Sequence, residues 1–488
     1  PEPRFLFRPF LALFILTLVL SAPLRADEPP TEPQLRLELG MHTTMIRRVS
    51  CDAAGRYVLT ASDDKTARLW DAKTGALLST YRVPSGSTNE GKLYACAISP
   101  DGTTIAVGGW TGYDWDGNHS IYLFDRASGN IFRKLEGLGS VINDLAFSPD
   151  SALLGAACGS TAGIAVWKTA DWSALGADGN YGAASYSIDF VSTKGMTYVA
   201  STSDDGKVRL YTLSNKLSKV AEVSVKGDPY GVAFNPTGSL LAVGYYDEKK
   251  IEVYSVSQSS LSLAYSPDTT GGDSDSLSSV EFSKDGQRLY SGGNWWNNGY
   301  RPVRMWEKAG KGDYQDLTAG NDATIMGLVS VNDGSIVIAA TDPSWARLDH
   351  AGTIIAHAAP VTPDFRAQLD SVRISPEGWA VSFGLRVFGN NPVSFDLRTR
   401  IYREGSLPSA IVAPDTTSLS VTDWKDSYTT RINGTVLAFE PYEFSRSLAV
   451  LPGAQRFLLG TGWYLYSFDT QAKQLWKTPL PGTAWDVN

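Results

Sequence analysis

The chain has few cysteines and histidines and no excess of positive charge. Its 488 residues include three cysteines and four histidines, and 43 Lys plus Arg stand against 51 Asp plus Glu. The net charge of −8 argues against a nucleic-acid partner, because affinity for nucleic acid is dominated by lysines and arginines that neutralise phosphates. The sequence therefore predicts no nucleic-acid binding.

The scarcity of cysteine and histidine argues against metal and catalytic clusters. The cysteines are odd in number and lie in different apolar runs: Cys51, Cys96 and Cys158. They are interpreted as small core residues rather than as disulfide or zinc ligands. The histidines are scattered along the chain: His42, His119, His350 and His357. We therefore predict no metal, no cofactor and no enzyme activity.

Long hydrophobic runs are missing except near the N terminus. Two arginines precede an apolar run over residues 10–20, and small residues follow as far as Ala26. This order predicts a secretory signal peptide over residues 1–26, since a spanning helix usually needs about 20 apolar residues. An uncleaved membrane anchor is the alternative. Cleavage predicts a periplasmic or secreted protein without membrane contact, and residues 27–34 are a proline-containing linker.

Glycine and aromatic residues, in contrast, are abundant, with 46 Gly, 22 Tyr, 18 Phe and 14 Trp. This composition is typical of a turn-rich all-β protein. Short apolar runs at residues 45–51, 57–61, 66–70 and 77–83 are separated by turn residues. The pattern predicts four strands that form one antiparallel sheet.

The turn between the first two strands recurs along the chain. Its second position recurs at intervals of 43 to 49 residues: Gly55, Gly102, Ser151, Gly195, Gly238, Gly286, Gly334 and Gly378. Several of these turns contain a Ser-Pro or Asn-Pro pair, and proline ends a strand and presets a turn. Each interval therefore predicts one sheet.

The first unit resembles a WD40 repeat. His42 stands thirteen residues before Gly55, and Asp64 leads into the Arg-Leu-Trp-Asp sequence that contains Trp70. The resemblance implies a propeller blade with a buried hydrogen-bond relay of His42, Thr60, Asp64 and Trp70. A histidine beside an aspartate and a hydroxyl also has the composition of a hydrolase triad. The relay is favoured, because an unsatisfied buried polar group costs ~1–3 kcal/mol.

The predicted fold class is all-β, with a seven-bladed WD40 propeller over residues 35–358 and a partial second propeller over residues 359–488. Residues 35–39 are the candidate clasp that closes the first ring with an outer strand. An inserted hairpin is predicted near residues 418–440, with Asn433 and Gly434 as its tight turn. The last seven residues look like the start of a further blade, so a chain truncated at its C terminus is expected.

The whole arrangement resembles exported bacterial WD40 proteins. It resembles more weakly the WD40 portion of bacterial caspase-like proteins. The second resemblance implies that a peptidase domain lies on the same full-length chain, although no matching His and Cys motif is present here.

Two long aromatic loops interrupt the otherwise short turns between second and third strands. Their aromatic residues are candidate partner-binding residues: Trp110, Tyr113, Trp115, Trp295, Trp296 and Tyr300. Exposed Trp and Tyr are typical of binding hot spots, whereas the alternative is that each loop buries its aromatics against its own blade. Asp114, Asp116 and Asn118 alternate like calcium ligands, but no bidentate Glu follows them.

These features predict a non-catalytic WD40 scaffold that mediates protein–protein interaction in the cell envelope. A rigid ring with loops on one face is all that such a scaffold needs. Two alternatives remain open. One is a propeller that senses a glycan or small ligand, and the other is a regulatory module of a longer caspase-like peptidase.

Overall fold

A computed structural model describes most of the chain after residue 39. The described residues are 40–86, 89–112, 118–273, 275–318, 323–359, 372–383, 393–404, 419–425, 427–440, 443–451, 455–480, 484 and 487. The predicted signal peptide, linker and clasp therefore lie outside them. Among the described residues, no helix has the length and apolar character needed to cross a membrane.

The described part of the chain folds into ten antiparallel sheets, nine with four strands and one with three. Helical structure within it is confined to a short 3-10 turn at Lys308–Gly310. The predicted all-β fold class, built of four-stranded antiparallel sheets, is confirmed.

Sheets one to seven follow one another along the chain, and each strand pairs with the next in sequence. The strands of sheet one are Ile46–Cys51, Tyr57–Ser62, Thr66–Asp71 and Leu77–Arg82. Those of sheet two are Leu93–Ile98, Thr104–Gly109, His119–Asp125 and Ile131–Leu138. Those of sheet three are Ile142–Phe147, Leu153–Cys158, Ile164–Lys168 and Ala174–Asp178.

The next four sheets repeat this order. Sheet four contains Ser185–Thr193, Met196–Ser203, Lys207–Leu213 and Leu217–Ser224. Sheet five contains Pro229–Phe234, Leu240–Tyr245, Ile251–Val256 and Leu261–Tyr265. Sheet six contains Ser279–Phe282, Leu289–Gly292, Val303–Trp306 and Tyr314–Leu317. Sheet seven contains Ile325–Ser330, Ile336–Ala340, Trp345–Leu348 and Ile354–Ala358.

These seven sheets close into a ring. The first strand of each sheet packs against the first strand of the next, and the first strand of sheet seven packs against that of sheet one. The seventh sheet takes its outer strand from Ile354–Ala358, directly after its third strand. The outer strand of sheet seven thus comes from the sheet's own segment, and the predicted clasp at residues 35–39 lies outside the described residues.

Apolar side chains fill the space between neighbouring sheets. At the closure of the ring, Trp70 of sheet one lies against Trp345 of sheet seven, with ring centroids 6.0 Å apart. Both tryptophans belong to one buried cluster that also contains Ile46 and Val337. Burying each large apolar side chain stabilises the fold by ~1.5–3 kcal/mol, so the closure is held by side chains far apart in sequence.

The three cysteines lie in these interiors as free thiols. Cys96 and Cys158 are buried and Cys51 is half-buried. Burial raises the pKa of both Cys51 and Cys158 to about 12. Protonated thiols in apolar surroundings behave as small core residues, which agrees with their interpretation from sequence.

The recurring turn is held by side-chain hydrogen bonds to its own backbone. In sheet two the Ser99 hydroxyl donates to Asp101 at 2.5 Å and accepts the Thr104 amide at 2.9 Å. The Thr103 amide donates to Asp101 at 2.9 Å, and Gly102 has a φ of 76°. Positive φ suits glycine, which has no Cβ. The Ser-Pro-Asp-Gly sequence is therefore held in its turn by hydrogen bonds within residues 99–104.

Three further sheets follow the ring. Two have four strands: Val372–Ile374, Ala380–Phe383, Val393–Asp396 and Ile401–Glu404, and then Ser445–Val450, Arg456–Thr461, Tyr464–Asp469 and Gln474–Pro479. The three-stranded sheet between them contains Val421–Thr422, Arg431–Ile432 and Thr435–Val436. Its apolar residues pack against the last sheet in a shared buried cluster.

This small sheet occupies the region in which a hairpin was predicted. Asn433 and Gly434 form the expected tight turn, with φ values of 46° and 83°. The strand that leads into the turn is Arg431–Ile432, directly before Asn433. The reason is geometric, because a two-residue turn pairs the residues that flank it, here Ile432 with Thr435.

Candidate functional site

The structure brings the four predicted relay residues together inside sheet one. Nδ1 of His42 lies 2.9 Å from a carboxylate oxygen of Asp64, and Nε2 lies 2.7 Å from the Thr60 hydroxyl. The Trp70 indole N–H donates to the same hydroxyl at 2.9 Å. His42 is 1% exposed and Thr60 is fully buried. The hydroxyl is therefore sealed from any substrate, and the arrangement satisfies buried polar groups rather than forming a hydrolase triad.

Asp64 is the charged member of this relay. Burial alone would raise its pKa, but the charge and hydrogen bond of His42, with hydrogen bonds from Thr66 and the Thr43 amide, lower it to about 2. A carboxylate whose folded pKa lies below its unfolded value of ~3.9 stabilises the fold above that pH. The contribution is lost as the pH falls from about 4 towards 2.

We expect Asp64→Asn to lower the free energy of unfolding at pH 6 by about 2 kcal/mol. The difference from the native chain should shrink as the pH falls from 4 to 2, where the native Asp64 also becomes neutral. Urea unfolding at several pH values measures both effects, and Asp313→Asn on an exposed carboxyl of sheet six is the control. A difference that is the same at every pH would contradict a charged relay.

A second group of residues lies where the pairing register between the first and second strands of a sheet shifts. In six of the seven ring sheets the pairing with the second strand slips near the start of the first strand. The residues at these bulges are Arg47, Tyr94, Asn143, Tyr186, Tyr230 and Met326. A bulge leaves its residue unpaired and redirects the side chain. All six side chains are half-buried.

The bulge residues come from different sheets and meet around one opening. The Arg47 guanidinium lies 4.5 Å from the centre of the Tyr94 ring. The Tyr186 and Tyr230 rings stack with centroids 4.9 Å apart, and the Asn143 amide donates to the carbonyl of Ser185. We call this ring of bulge residues the channel mouth. It presents tyrosine, arginine and methionine side chains on a rigid rim.

Arg48 crosses the channel below this mouth. From sheet one, its guanidinium donates to Asp144 of sheet three at 3.2 Å and to the Tyr186 carbonyl of sheet four at 2.7 Å. It also donates to the Tyr230 hydroxyl of sheet five at 3.3 Å. Asp144 is held in turn by the Ser187 hydroxyl at 3.0 Å. One side chain therefore ties four sheets of the ring together.

The channel contains a cavity of about 480 Å³ lined by the first strands. Its charged groups include the Lys284–Glu281 pair, with N and O atoms 3.2 Å apart. They also include Asp189, which accepts backbone hydrogen bonds from Phe234 at 2.7 Å and Phe190 at 2.8 Å. Burial raises the pKa of Asp189 to about 7. The Asp189 carboxyl in the channel therefore takes up a proton at a higher pH than an exposed carboxyl does.

Comparison with known proteins identifies the repeat. Residues 33–71 match the family model of the WD domain, G-beta repeat. The chain contains a WD40 repeat. This match includes the four relay residues and both Arg47 and Arg48, so the crossing arginine belongs to the recognised repeat.

Two proteins of Culex quinquefasciatus are similar to parts of this chain. The ribosome biogenesis protein BOP1 homolog is 35% identical over 69 residues, which make up 14% of this chain and 8% of that protein. Eukaryotic translation initiation factor 3 subunit I is 30% identical over 116 residues, which make up 22% of this chain and 34% of that protein. The chain thus spans about a third or less of the length of these relatives.

The predicted binding role of Trp295 requires exposure, and that expectation is wrong. Trp295 is fully buried in the WD40 ring, and its indole N–H donates to the Pro302 carbonyl at 3.2 Å. It packs with Ile251 and Leu277 at the boundary between sheets five and six. The Arg304 guanidinium covers its ring at 4.6 Å. The loop buries this tryptophan because an apolar surface of the neighbouring sheet is available to it.

The other predicted loop residues have varied environments. Trp296 is half-buried beneath the Arg301 guanidinium, and Tyr300 is 43% exposed. Trp110 is half-buried against His119, with ring centroids 5.9 Å apart. Tyr113 and Trp115 lie outside the described residues. Trp296, Tyr300 and Trp110 therefore remain candidate binding residues.

The calcium candidate can be placed only in part. Asp114 and Asp116 lie outside the described residues, and Asn118 uses its side-chain oxygen to accept the Gly137 amide at 2.8 Å. The described residues contain no group of three or more His, Cys, Asp or Glu side chains able to hold a metal. Asn118 serves as a structural link between its loop and the outer strand of sheet two.

The channel mouth was missed from sequence, although a signal for it exists. Five of the six bulge residues stand eight residues before the second position of the recurring turn, and Tyr186 stands nine before it. At this position the apolar pattern of the first strand is interrupted by polar or bulky side chains. Aligning the repeats on their turns, rather than searching for unusual loops, would have identified the set.

Proposed function

We propose that this chain is a non-catalytic scaffold that binds a protein partner at the channel mouth. The observation that supports it most is the gathering of half-buried tyrosine, arginine and methionine side chains from six sheets around one opening. Tyrosine and arginine are enriched among the residues that dominate binding energy. A WD40 repeat supports the same class of function, because proteins with this repeat are generally scaffolds without catalysis.

The mouth is suited to binding because its geometry is fixed before a partner arrives. Each side chain projects from a strand inside a closed ring, so little backbone order has to be gained on binding. The Arg47 guanidinium is held by two hydrogen bonds of 2.9 Å to Asp63, which restrains it above Tyr94. Long loops would lose more conformational entropy than these short bulges.

The proposal extends to the cell envelope on the basis of the signal-peptide pattern in residues 1–26. Two alternatives remain predictions from the sequence. One is that the chain senses a glycan or small ligand, and the other is that it regulates a caspase-like peptidase domain on the same chain. The distant relatives are named for ribosome biogenesis and translation initiation. Those names describe the relatives and do not identify the partner of this chain.

A double variant, Tyr94→Ala with Met326→Ala, tests the mouth. We expect it to weaken partner capture by roughly 700-fold, since truncating hot-spot residues costs ~2 kcal/mol each and the two losses sum to ~4 kcal/mol. Capture by the immobilised chain from an extract of the source cells, quantified by mass spectrometry, measures the loss. The matched control is Leu78→Ala with Ile355→Ala, because these exposed apolar residues lie on outer strands of sheets one and seven. Equal losses in both variants would refute the mouth as the binding site.

A further inference from the structure

Three tyrosines extend from the channel mouth to Tyr246, the exposed residue that directly follows the second strand of sheet five. Tyr186 stacks on Tyr230 at 4.9 Å with an interplanar angle of 26°. Tyr230 in turn lies 5.7 Å from Tyr246 at an angle of 33°. Tyr246 is 64% exposed, which is the largest exposure among the large hydrophobic residues of the described chain. We call this set the tyrosine ladder.

The inner face of the ladder is already occupied. The Arg48 guanidinium lies 5.3 Å from the centre of the Tyr230 ring and donates to the Tyr230 hydroxyl. A cation beside an aromatic face shows that this position favours positive charge. Tyr246, at the outer end, leaves its ring open to solvent for a second cation.

Exposed carboxylates surround the outer end of the ladder. Asp204, Asp228 and Asp247 are all exposed, and the Asp228 amide donates to the Asp247 carboxylate at 2.8 Å. Asp204 interacts through its carboxylate with the Tyr186 hydroxyl. Partial burial and the nearby charges of Asp228, Asp205 and Asp247 raise the pKa of Asp204. The carboxylates are close enough to repel one another, so a positive group between them would be stabilised.

Three of the cations nearest in sequence are committed elsewhere, while Lys226, two residues before Asp228, is exposed. Lys249 donates to the Gly271 carbonyl at 2.6 Å, and Lys250 donates to the Lys226 carbonyl at 2.5 Å. Arg209 pairs with Asp205 at 2.5 Å. These contacts leave Asp204, Asp228 and Asp247 as the negatively charged edge of an aromatic surface.

We propose that the tyrosine ladder docks a basic, extended segment of a partner protein, with an arginine side chain stacked on Tyr246 between Asp204, Asp228 and Asp247. The inference rests on the proposed scaffold function and names the chemistry of its partner. Aromatic contact supplies affinity, and opposite charge speeds association and makes binding sensitive to salt. Tyr186 and Tyr230 also belong to the channel mouth, so the ladder is continuous with it.

The test uses a fluorescein-labelled synthetic peptide of repeated Gly-Ser-Arg units, with Gly-Ser-Gln and Gly-Ser-Glu peptides as matched probes. Fluorescence anisotropy should show binding of the arginine peptide alone, weakening as the salt concentration rises from about 50 to 500 mM. Tyr246→Ala and Asp247→Asn should each weaken it by ~10-fold or more. Leu263→Ala, at a 58% exposed leucine on the outer strand of sheet five, should leave binding unchanged.

The outcomes separate this inference from the scaffold proposal. Equal binding of the arginine and glutamine peptides, or unchanged affinity in Tyr246→Ala, would overturn the basic partner. If the mouth variants still lose capture of a cellular partner in that case, the scaffold proposal stands without it. Because Tyr246 and Asp247 are exposed, circular dichroism should show that both variants remain folded. A loss of fold in either one would count against the ladder as a free surface.

Discussion

Replacing Arg48 by alanine is expected to lower the free energy of unfolding of the ring by ~3–5 kcal/mol. The guanidinium lies across the channel, and its side chain is 12% exposed. Its removal leaves the half-buried Asp144 carboxylate without its cation and leaves the Tyr186 carbonyl without this donor. It also cuts the link from sheet one to sheets three, four and five, so hydrogen exchange should accelerate in the first strands of all four.

The vacated position should accept a small guanidinium ion. In Arg48→Ala, methylguanidinium at about 20 mM should restore ~1.4 kcal/mol if it binds with a dissociation constant near 2 mM. The native chain should show no such gain, because Arg48 fills the position. Arg47→Ala is the matched control, since the Arg47 side chain is 28% exposed and pairs with Asp63 of its own sheet, so its removal should cost less than that of Arg48. Equal destabilisation by both variants, without rescue by methylguanidinium, would contradict the proposed contribution of Arg48 as a link between four sheets.

Trp295→Ala is expected to destabilise the ring by ~3–5 kcal/mol, because it removes one of the two fully buried tryptophans between sheets five and six. The change would also expose Arg304, which is fully buried between Trp295 at 4.6 Å and Tyr314 at 3.7 Å. Arg304 forms two hydrogen bonds with Asp316, at 2.7 and 3.0 Å, and these would become open to water.

Urea unfolding followed by tryptophan fluorescence and by hydrogen exchange in sheet six measures this loss. Tyr300→Ala, in the same loop but 43% exposed, should change stability by less than ~0.5 kcal/mol. Trp295→Phe should recover part of the loss, because a smaller ring still covers Ile251 and Leu277. An unchanged urea midpoint in Trp295→Ala would mean that the loop leaves the core easily, and would return Trp295 to the set of surface candidates.

The relay and the channel mouth show how differently local and distant contacts are encoded. The relay could be predicted from the resemblance of the first unit to a WD40 repeat, because His42, Thr60, Asp64 and Trp70 occupy the positions that the resemblance implies within one four-stranded unit. The bulge residues of the mouth depend on the pairing register, which is visible only when two strands are aligned. Tyr186 and Tyr230 become neighbours because two separate sheets place their bulges at the same height in the ring.

Two residues of the same type illustrate the limit of exposure predictions. Trp295 and Trp296 are adjacent in an aromatic loop, and both were predicted to bind a partner. The structure buries the first against Ile251 and Leu277 and leaves the second half-buried under Arg301. The apolar surface of sheet five, which lies outside the loop, determines which of the two tryptophans is buried.

By itself, the sequence determined the strands, the turns and the all-β class, because alternating apolar residues and Ser-Pro-Asp-Gly turns act over a few neighbouring residues. It also determined the composition of the buried relay within one repeat. The tertiary structure alone decided which side chains face the channel, which aromatics are buried, and that Arg48 reaches three other sheets. Those outcomes depend on ring closure, which brings residues nearly two hundred positions apart, such as Arg48 and Tyr230, within hydrogen-bonding distance.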